Sequence, residues 1–239
     1  FEILENFVKN HDLPELKSVL GEWYMFYNKN QEAEKIFEKL SVQFPQNFTY
    51  NINYSILLIS TINKPKKAIT NLQRLLKNSK SQNEIDTIRS YLSLAYILNN
   101  QKKLAFPIIK ESLANNPNKS TTILFNYLIN NKKYDHLLEI IEYLNNNTTG
   151  SPYLFAIKGE ILSDYKKKHK DAIPAYKKAL LLKPDHPELY NSIGVSHYEL
   201  GELEKALQYF YKSISIDKYH ATSIYNIASL WKDVKGKVV

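Results

Sequence analysis

The chain has 239 residues, of which 44% are hydrophobic and 23% charged, with 6 glycines and no cysteine. This composition excludes a disordered chain, a disulfide scaffold, a thiolate nucleophile and a cysteine-rich zinc site, and its wealth of Leu, Ile, Lys, Glu and Ala favours helices joined by short turns over sheets. The net charge of +8 permits attraction to anionic partners, and no apolar run, Ile56 to Ile59 among them, approaches the roughly 20 residues a membrane-spanning helix needs.

The first predicted element is a leading helix over residues 1–11, amphipathic through Phe1, Leu4, Phe7 and Val8. It starts on Phe rather than Met and lacks a signal peptide's small-residue cleavage site, so the chain reads as a fragment or mature form of something longer. After it a unit recurs with a period near 34: a small residue at Ala33, Ala68, Ala105, Leu137, Ala172 and Ala206, at steps of 35, 37, 32, 35 and 34. Four residues after each stands a large apolar side chain: Phe37, Leu72, Ile109, Ile141, Tyr176 and Phe210. A small residue where two antiparallel helices cross lets their backbones approach, and the large residue one turn later fills the gap between neighbouring units. The repeats start near residues 14, 49, 86, 118, 152 and 187, and an extra first helix covers about 221–235.

Punctuation follows the repeats. Pro14, Pro152 and Pro187 open first helices, while Pro45, Pro117 and Pro184 follow second helices. Asp12 with Glu15, and Asp185 with Glu188, have the spacing of capping boxes. Pro107 and Pro174 fall near the first turns of second helices, which are expected to begin late or bend there. Repeat 4 is the most degenerate, with Phe125 and Leu137 in the places of Gly and Ala, and repeat 5 carries an extra residue that is placed between its helices, in Lys166–Lys170.

Two units carry a resemblance to a known family. Leu20, Gly21, Tyr24, Ala33, Phe37 and Pro45, and again Ile193, Gly194, His197, Gly201, Ala206 and Phe210, resemble the tetratricopeptide repeat. The resemblance covers nearly the whole chain and is strongest from Asp171 to Asp217. It implies an all-α, right-handed solenoid of stacked antiparallel helix pairs forming one array over 1–239, a concave groove lined by first helices, and a scaffold that binds other proteins. By family geometry the groove takes Tyr50, Asn53, Tyr54, Tyr91, Asn126, Asn130, Tyr153, Glu160, Asn191, Tyr198, Glu199, Tyr225 and Asn226. Asn donates to and accepts from a peptide backbone and Tyr adds rigid contact area, so this lining suits an extended peptide or partner helix. Some members grip a C-terminal carboxylate with Lys and Asn at the fifth and ninth positions of one first helix; no repeat here has that pair.

A second surface is a basic ridge of turn lysines. It comprises Lys64, Lys66 and Lys67, then Lys102 and Lys103, then Lys132 and Lys133, then Lys166, Lys167, Lys168 and Lys170, and it stops where Glu202 and Glu204 stand in repeat 6. Such a ridge suits phosphates or acidic lipid, although charge runs in turns commonly just face water. The six histidines are scattered, His197 reads as a core residue, and no nucleophile-elbow, zinc-protease or phosphate-loop motif occurs. The chain is therefore expected to be a non-enzymatic protein-binding scaffold without metal or cofactor, cytoplasmic rather than exported. The alternatives are the partner-recruiting region of a larger enzyme and, behind it, a helical repeat that binds RNA or an anionic membrane surface.

Overall fold

The structure, a computed structural model, describes residues 2–115, 117–148 and 150–236, with side chains at 3–114, 122–148 and 150–232. Phe1, assigned to the leading helix, lies outside the described residues. The described backbone is helical throughout, without a strand: α1 (Glu2–Asn10), α2 (Pro14–Phe26), α3 (Asn30–Gln43), α4 (Phe48–Ser60), α5 (Pro65–Asn78), α6 (Gln82–Leu98), α7 (Lys102–Asn115) and α8 (Pro117–Asn130). Then come α9 (Tyr134–Asn147), α10 (Pro152–Glu160), a π turn at Ile161–Tyr165, α11 (His169–Leu182), α12 (Pro187–Glu199), α13 (Leu203–Ile216) and α14 (Ala221–Gly236). From α2 onward, even-numbered helices are first helices and odd-numbered ones second helices until the π turn, after which α11 and α13 are second helices and α12 and α14 first. No described helix is long and apolar enough to cross a membrane.

The chain divides into two compact units, Phe1–Asn131 and Lys132–Val239. The division falls in the turn between α8 and α9, in the repeat where Phe125 and Leu137 stand in the places of the small residues.

In the first unit the small residues Ala33, Ala68 and Ala105 and their large partners Phe37, Leu72 and Ile109 are all buried. In the second, so are Leu137 and Ile141, Ala172 and Tyr176, and Ala206 and Phe210. The large residue reaches the next repeat, Tyr176 sharing a core cluster with Leu189 and Ile193 and Phe210 one with Leu230, and in hairpins one, five and six it also covers the glycine of its own hairpin. A methyl group on Gly21 would lie 2.8 Å from the Phe37 ring, on Gly194 2.5 Å from Phe210, and on Gly159 2.4 Å from Tyr176. No side chain larger than hydrogen fits at these crossings without displacing an aromatic ring. Gly159 escapes a pattern search because it stands 13 residues before its alanine, where Gly21 and Gly194 stand 12 before theirs.

The turn between the helices of every hairpin contains one residue in the left-handed region, five residues ahead of the small residue: Asn28, Asn63, Asn100, Lys132, Lys167 and Gly201, with φ between 53° and 75°. Asn and Gly tolerate this conformation; a lysine gains nothing there. In hairpins one, three and six the next N–H closes a six-to-one loop, Lys29 to Tyr24 O at 2.8 Å, Gln101 to Tyr96 O at 2.8 Å and Glu202 to His197 O at 2.9 Å. In hairpins two and five it reaches one residue further, Lys64 to Leu58 O at 2.8 Å and Lys168 to Leu162 O at 2.6 Å. The extra residue of repeat 5 is thus not in Lys166–Lys170. The left-handed Lys167 keeps its standard distance from Ala172, and the surplus is wound into the π turn at Ile161–Tyr165.

Two further expectations are corrected. Neither acidic pair forms a capping box: the N-caps of α2 and α12 are Leu13 and His186, without side-chain caps, and Asp12 instead pairs with Lys17 and Glu188 with His186. Pro107 and Pro174 do not delay their helices, which start five residues earlier, at Lys102 and His169. Each proline deprives only a first-turn carbonyl of its helical partner, and a carbonyl so near a helix start remains open to solvent. Pro117 opens α8 as well as following α7, and α6 starts at Gln82, ahead of the expected 86.

Candidate interaction surfaces

Of the tyrosines assigned to the groove in the first unit, Tyr50 and Tyr54 are only 6% and 3% exposed. Tyr50 makes an edge contact with Phe44 at 5.7 Å between ring centres, and Tyr54 lies under the Lys67 ammonium at 5.5 Å. Burial raises the pKa of both phenols above the ordinary tyrosine value. They serve the core rather than a surface. Tyr91 is half-buried, and its phenol too is raised by burial. Asn53 is half-buried and donates to Glu22 Oε1 at 2.7 Å, while Asn126 and Asn130 on α8 are exposed.

In the second unit Tyr153 on α10 is 57% exposed, and Glu160 and Glu199 are exposed. A hydrogen-bonded patch lies on α12 and α14. Asn191 Oδ1 accepts from Asn226 Nδ2 at 2.9 Å and from Ser223 Oγ at 3.0 Å, tying the two first helices together side chain to side chain. These bonds use the oxygen of Asn191 and the nitrogen of Asn226, leaving the Asn191 N–H2 and the Asn226 Oδ1 over among the described residues. Beside them Tyr225 is 72% exposed and Tyr198 half-buried. Beneath, Ser223 Oγ lies 2.7 Å from Ser213 Oγ and 2.8 Å from the buried His220 ring, which anchors the start of α14 to α13. His197 is buried, stacks on Tyr209 at 5.3 Å and bonds Glu202 at 2.6 Å. No group of three metal-binding side chains occurs among the described residues.

The basic ridge is paired in part. Lys64 donates to Glu34 at 2.8 Å and Lys67 to Glu38 at 2.8 Å, both acids from the preceding second helix α3. Although burial works against its charged form, Glu38 and the Tyr54 hydroxyl hold the Lys67 ammonium above its ordinary pKa. Lys64, Lys66 and Lys67 line one open depression of about 450 Å³ with Asn99 of the next turn. Lys102 and Lys103 lie at the start of α7, Lys102 half-buried and Lys103 exposed. In the other unit Lys166 donates to Asp135 at 2.6 Å, which holds that carboxyl below its usual value. Lys132, Lys167, Lys168 and Lys170 are exposed and Lys133 is half-buried.

Comparison with known proteins adds the family. Residues 165–201 match the family described as TPR repeat, and residues 187–220 the one described as tetratricopeptide repeat. No curated protein sequence matches the chain. Among solved structures it is similar to a tetratricopeptide repeat protein from Parabacteroides merdae, at 20% identity and a TM-score of 0.50 over 96% of this chain and 90% of that one. It is also similar to a chain of the APC/C hetero-tetramer Cut9-Hcn1, at 16% identity and a TM-score of 0.49 over 95% of this chain, of which it spans 45%. A third likeness is to YrrB, a TPR protein with an unusual peptide-binding site, at 13% identity and a TM-score of 0.45 over 93% and 96% of the two chains. Two family models thus identify tetratricopeptide repeats within residues 165–220, and the all-helical fold with its small-on-large crossings is that of a tetratricopeptide-type repeat protein.

Proposed function

We propose that this protein holds an extended peptide segment of another protein against the face of α12 and α14. A tetratricopeptide array is a scaffold for contacts with other proteins, and what supports this particular face is the Asn191–Asn226 pair. One amide N–H2 and one amide oxygen are left side by side on neighbouring helices, which is what a peptide unit needs to be bound through its own C=O and N–H. Tyr225, exposed and next to Asn226 in the chain, and Tyr198, two turns along α12 from Asn191, add amphipathic contact area at low entropy cost. Tyr153 on α10 belongs to the same reading. Tyr50 and Tyr54 do not, because they are buried. The pairing of Lys64, Lys67 and Lys166 with carboxylates makes a nucleic acid or anionic membrane the weaker candidate partner.

The test is selection of binders from a random peptide library, followed by replacement of both Tyr225 and Asn226 with Ala. The expected result is at least a tenfold loss of affinity in a chain with unchanged helical content, while Leu181→Ala, on the exposed side of α11, binds as before. Selected peptides that bind the double variant and the parent equally would remove this face from consideration.

A further inference from the structure

Between α1, α2 and α3 lies an open pocket of about 440 Å³, within the ~300–1,000 Å³ range of small binding sites. Its floor is apolar: Val8 of α1, Leu20 of α2 and Leu40 of α3 are buried, and Ile36 is half-buried. Four lysines, Lys9, Lys17, Lys35 and Lys39, line its wall against two carboxylates, Glu5 and Asp12. Both carboxylates are engaged. Asp12 pairs with Lys17, and Glu5 Oε1 accepts the Tyr24 hydroxyl at 2.7 Å. Burial and that carboxylate push the Tyr24 phenol up to about 12, so it remains the donor at neutral pH. Lys9, Lys35 and Lys39 are exposed, and none of them forms an ion pair among the described residues.

The next hairpin closes the same place from within. Arg74 Nη2 donates to the Ser41 carbonyl O at 3.1 Å, to Asn51 Oδ1 at 2.9 Å and to Asn71 Oδ1 at 2.7 Å. Lys39 and Ile36 follow Ala33 by six and three residues, as Arg74 and Asn71 follow Ala68, and Lys17 is the fourth residue of α2 as Asn51 is of α4. With Ile36 and Lys17 in the places of the two asparagines, hairpin one offers no amide oxygens to hold such a plug. The space between α1 and α3 is left open, with ammonium groups around an apolar floor.

We propose that this pocket takes a leucine-sized apolar side chain from an acidic segment of a partner protein, the flanking carboxylates of that segment resting on Lys9, Lys35 and Lys39. An apolar floor under a surplus of cations is complementary to an apolar residue set between carboxylates. The uncommitted ammonium groups are spread over two helices, Lys9 on α1 and Lys35 and Lys39 one turn apart on α3, which suits several carboxylates along a chain better than the single head group of a lipid or small molecule. A basic segment is repelled by the same rim. The site lies in the unit that does not contain α12 and α14, and it does not rest on the reading of that face.

The experiment is a methyl NMR titration of the intact chain with the capped pentapeptide Asp-Asp-Leu-Asp-Asp and, in parallel, with Asn-Asn-Leu-Asn-Asn and Asp-Asp-Ala-Asp-Asp. Saturable shifts of the Val8, Leu20, Ile36 and Leu40 methyls are expected with the first peptide, weakening as salt is added, and binding at least tenfold weaker with each of the others. Lys35→Glu combined with Lys39→Glu, both at exposed helix positions, is expected to keep the helical content and to lose at least tenfold in affinity. Lys77→Glu combined with Lys80→Glu, the same change of net charge at exposed positions away from the pocket, is expected to bind as the parent does. Absence of shifts at the four floor residues, equal binding of the aspartate and asparagine peptides, equal binding of the leucine and alanine peptides, or equal losses in the two double variants would each overturn the proposal.

Discussion

At the glycine crossings a single hydrogen is all the space allows, and the clearest residue-level prediction follows from it. Gly159→Ala drives a methyl into the Tyr176 ring and is expected to cost about 1–3 kcal/mol, read as a lower urea midpoint. The turns offer the opposite case. Lys132 and Lys167 occupy left-handed positions that elsewhere hold Asn or Gly, so Lys167→Gly is expected to stabilise by about 0.5–1 kcal/mol, the relief of backbone strain outweighing the added freedom of the unfolded chain. The same measurement on Lys132→Gly checks that conformation rather than local charge is responsible. Glu142 gives the pH dependence. Its hydrogen bond from Lys158 holds the carboxyl below the ordinary 4.5, against the opposing effect of burial. The group is more acidic folded than unfolded, so its contribution is complete above pH 4.5 and is lost as pH falls through the folded value. Lys158→Met is expected to flatten the stability profile below pH 4.5, and a profile identical to the parent's would assign the acid sensitivity to other carboxylates.

The π turn at Ile161–Tyr165 is the informative element. One residue too many between Gly159 and Ala172 would rotate the glycine off the tyrosine if the helix stayed regular. Widening one turn stores the surplus and keeps both contacts, with Ser163 Oγ 3.0 Å from the Tyr176 hydroxyl. Deleting the exposed Asp164 shortens the spacing to the 12 residues of the first and sixth hairpins. The expected outcome is a regular α-helix through this stretch, seen as protected amides at 161–165 without loss of thermal stability. Persistent rapid exchange there would show that the widened turn is held by its surroundings and not by residue count. The α12–α14 patch is likewise an element-level device, in which Asn191 does for two neighbouring first helices what backbone bonds do inside one.

For the whole molecule, the division at Asn131–Lys132 carries a consequence for folding. Repeat arrays are stabilised mainly by nearest-neighbour contacts, so a cut in this turn is expected to leave fragments 1–131 and 132–239 that each keep a helical circular dichroism spectrum and melt cooperatively. A fragment without a cooperative transition would make the uncut chain the unit of folding.

Helices, hairpins and the small-on-large crossing were legible in the sequence because each rests on residues within one repeat, where spacing along the chain and distance in space are nearly the same thing. Gly159 and the misplaced extra residue of repeat 5 show the limit, since a spacing of 13 identifies a surplus residue but not whether helix or turn absorbs it. Tyr50, Tyr54 and Tyr225 are of one type and occupy comparable positions, yet two are buried and one is open, because burial is decided by what the neighbouring helices bring. The same holds for Arg74 and Lys39. One register position is a filled polar core in one hairpin and an open pocket in another, decided by partners on three different helices. Periodicity determined that a chain of stacked hairpins forms; only the tertiary structure decided which of its interfaces close, because closure depends on the summed shapes of side chains far apart in the sequence.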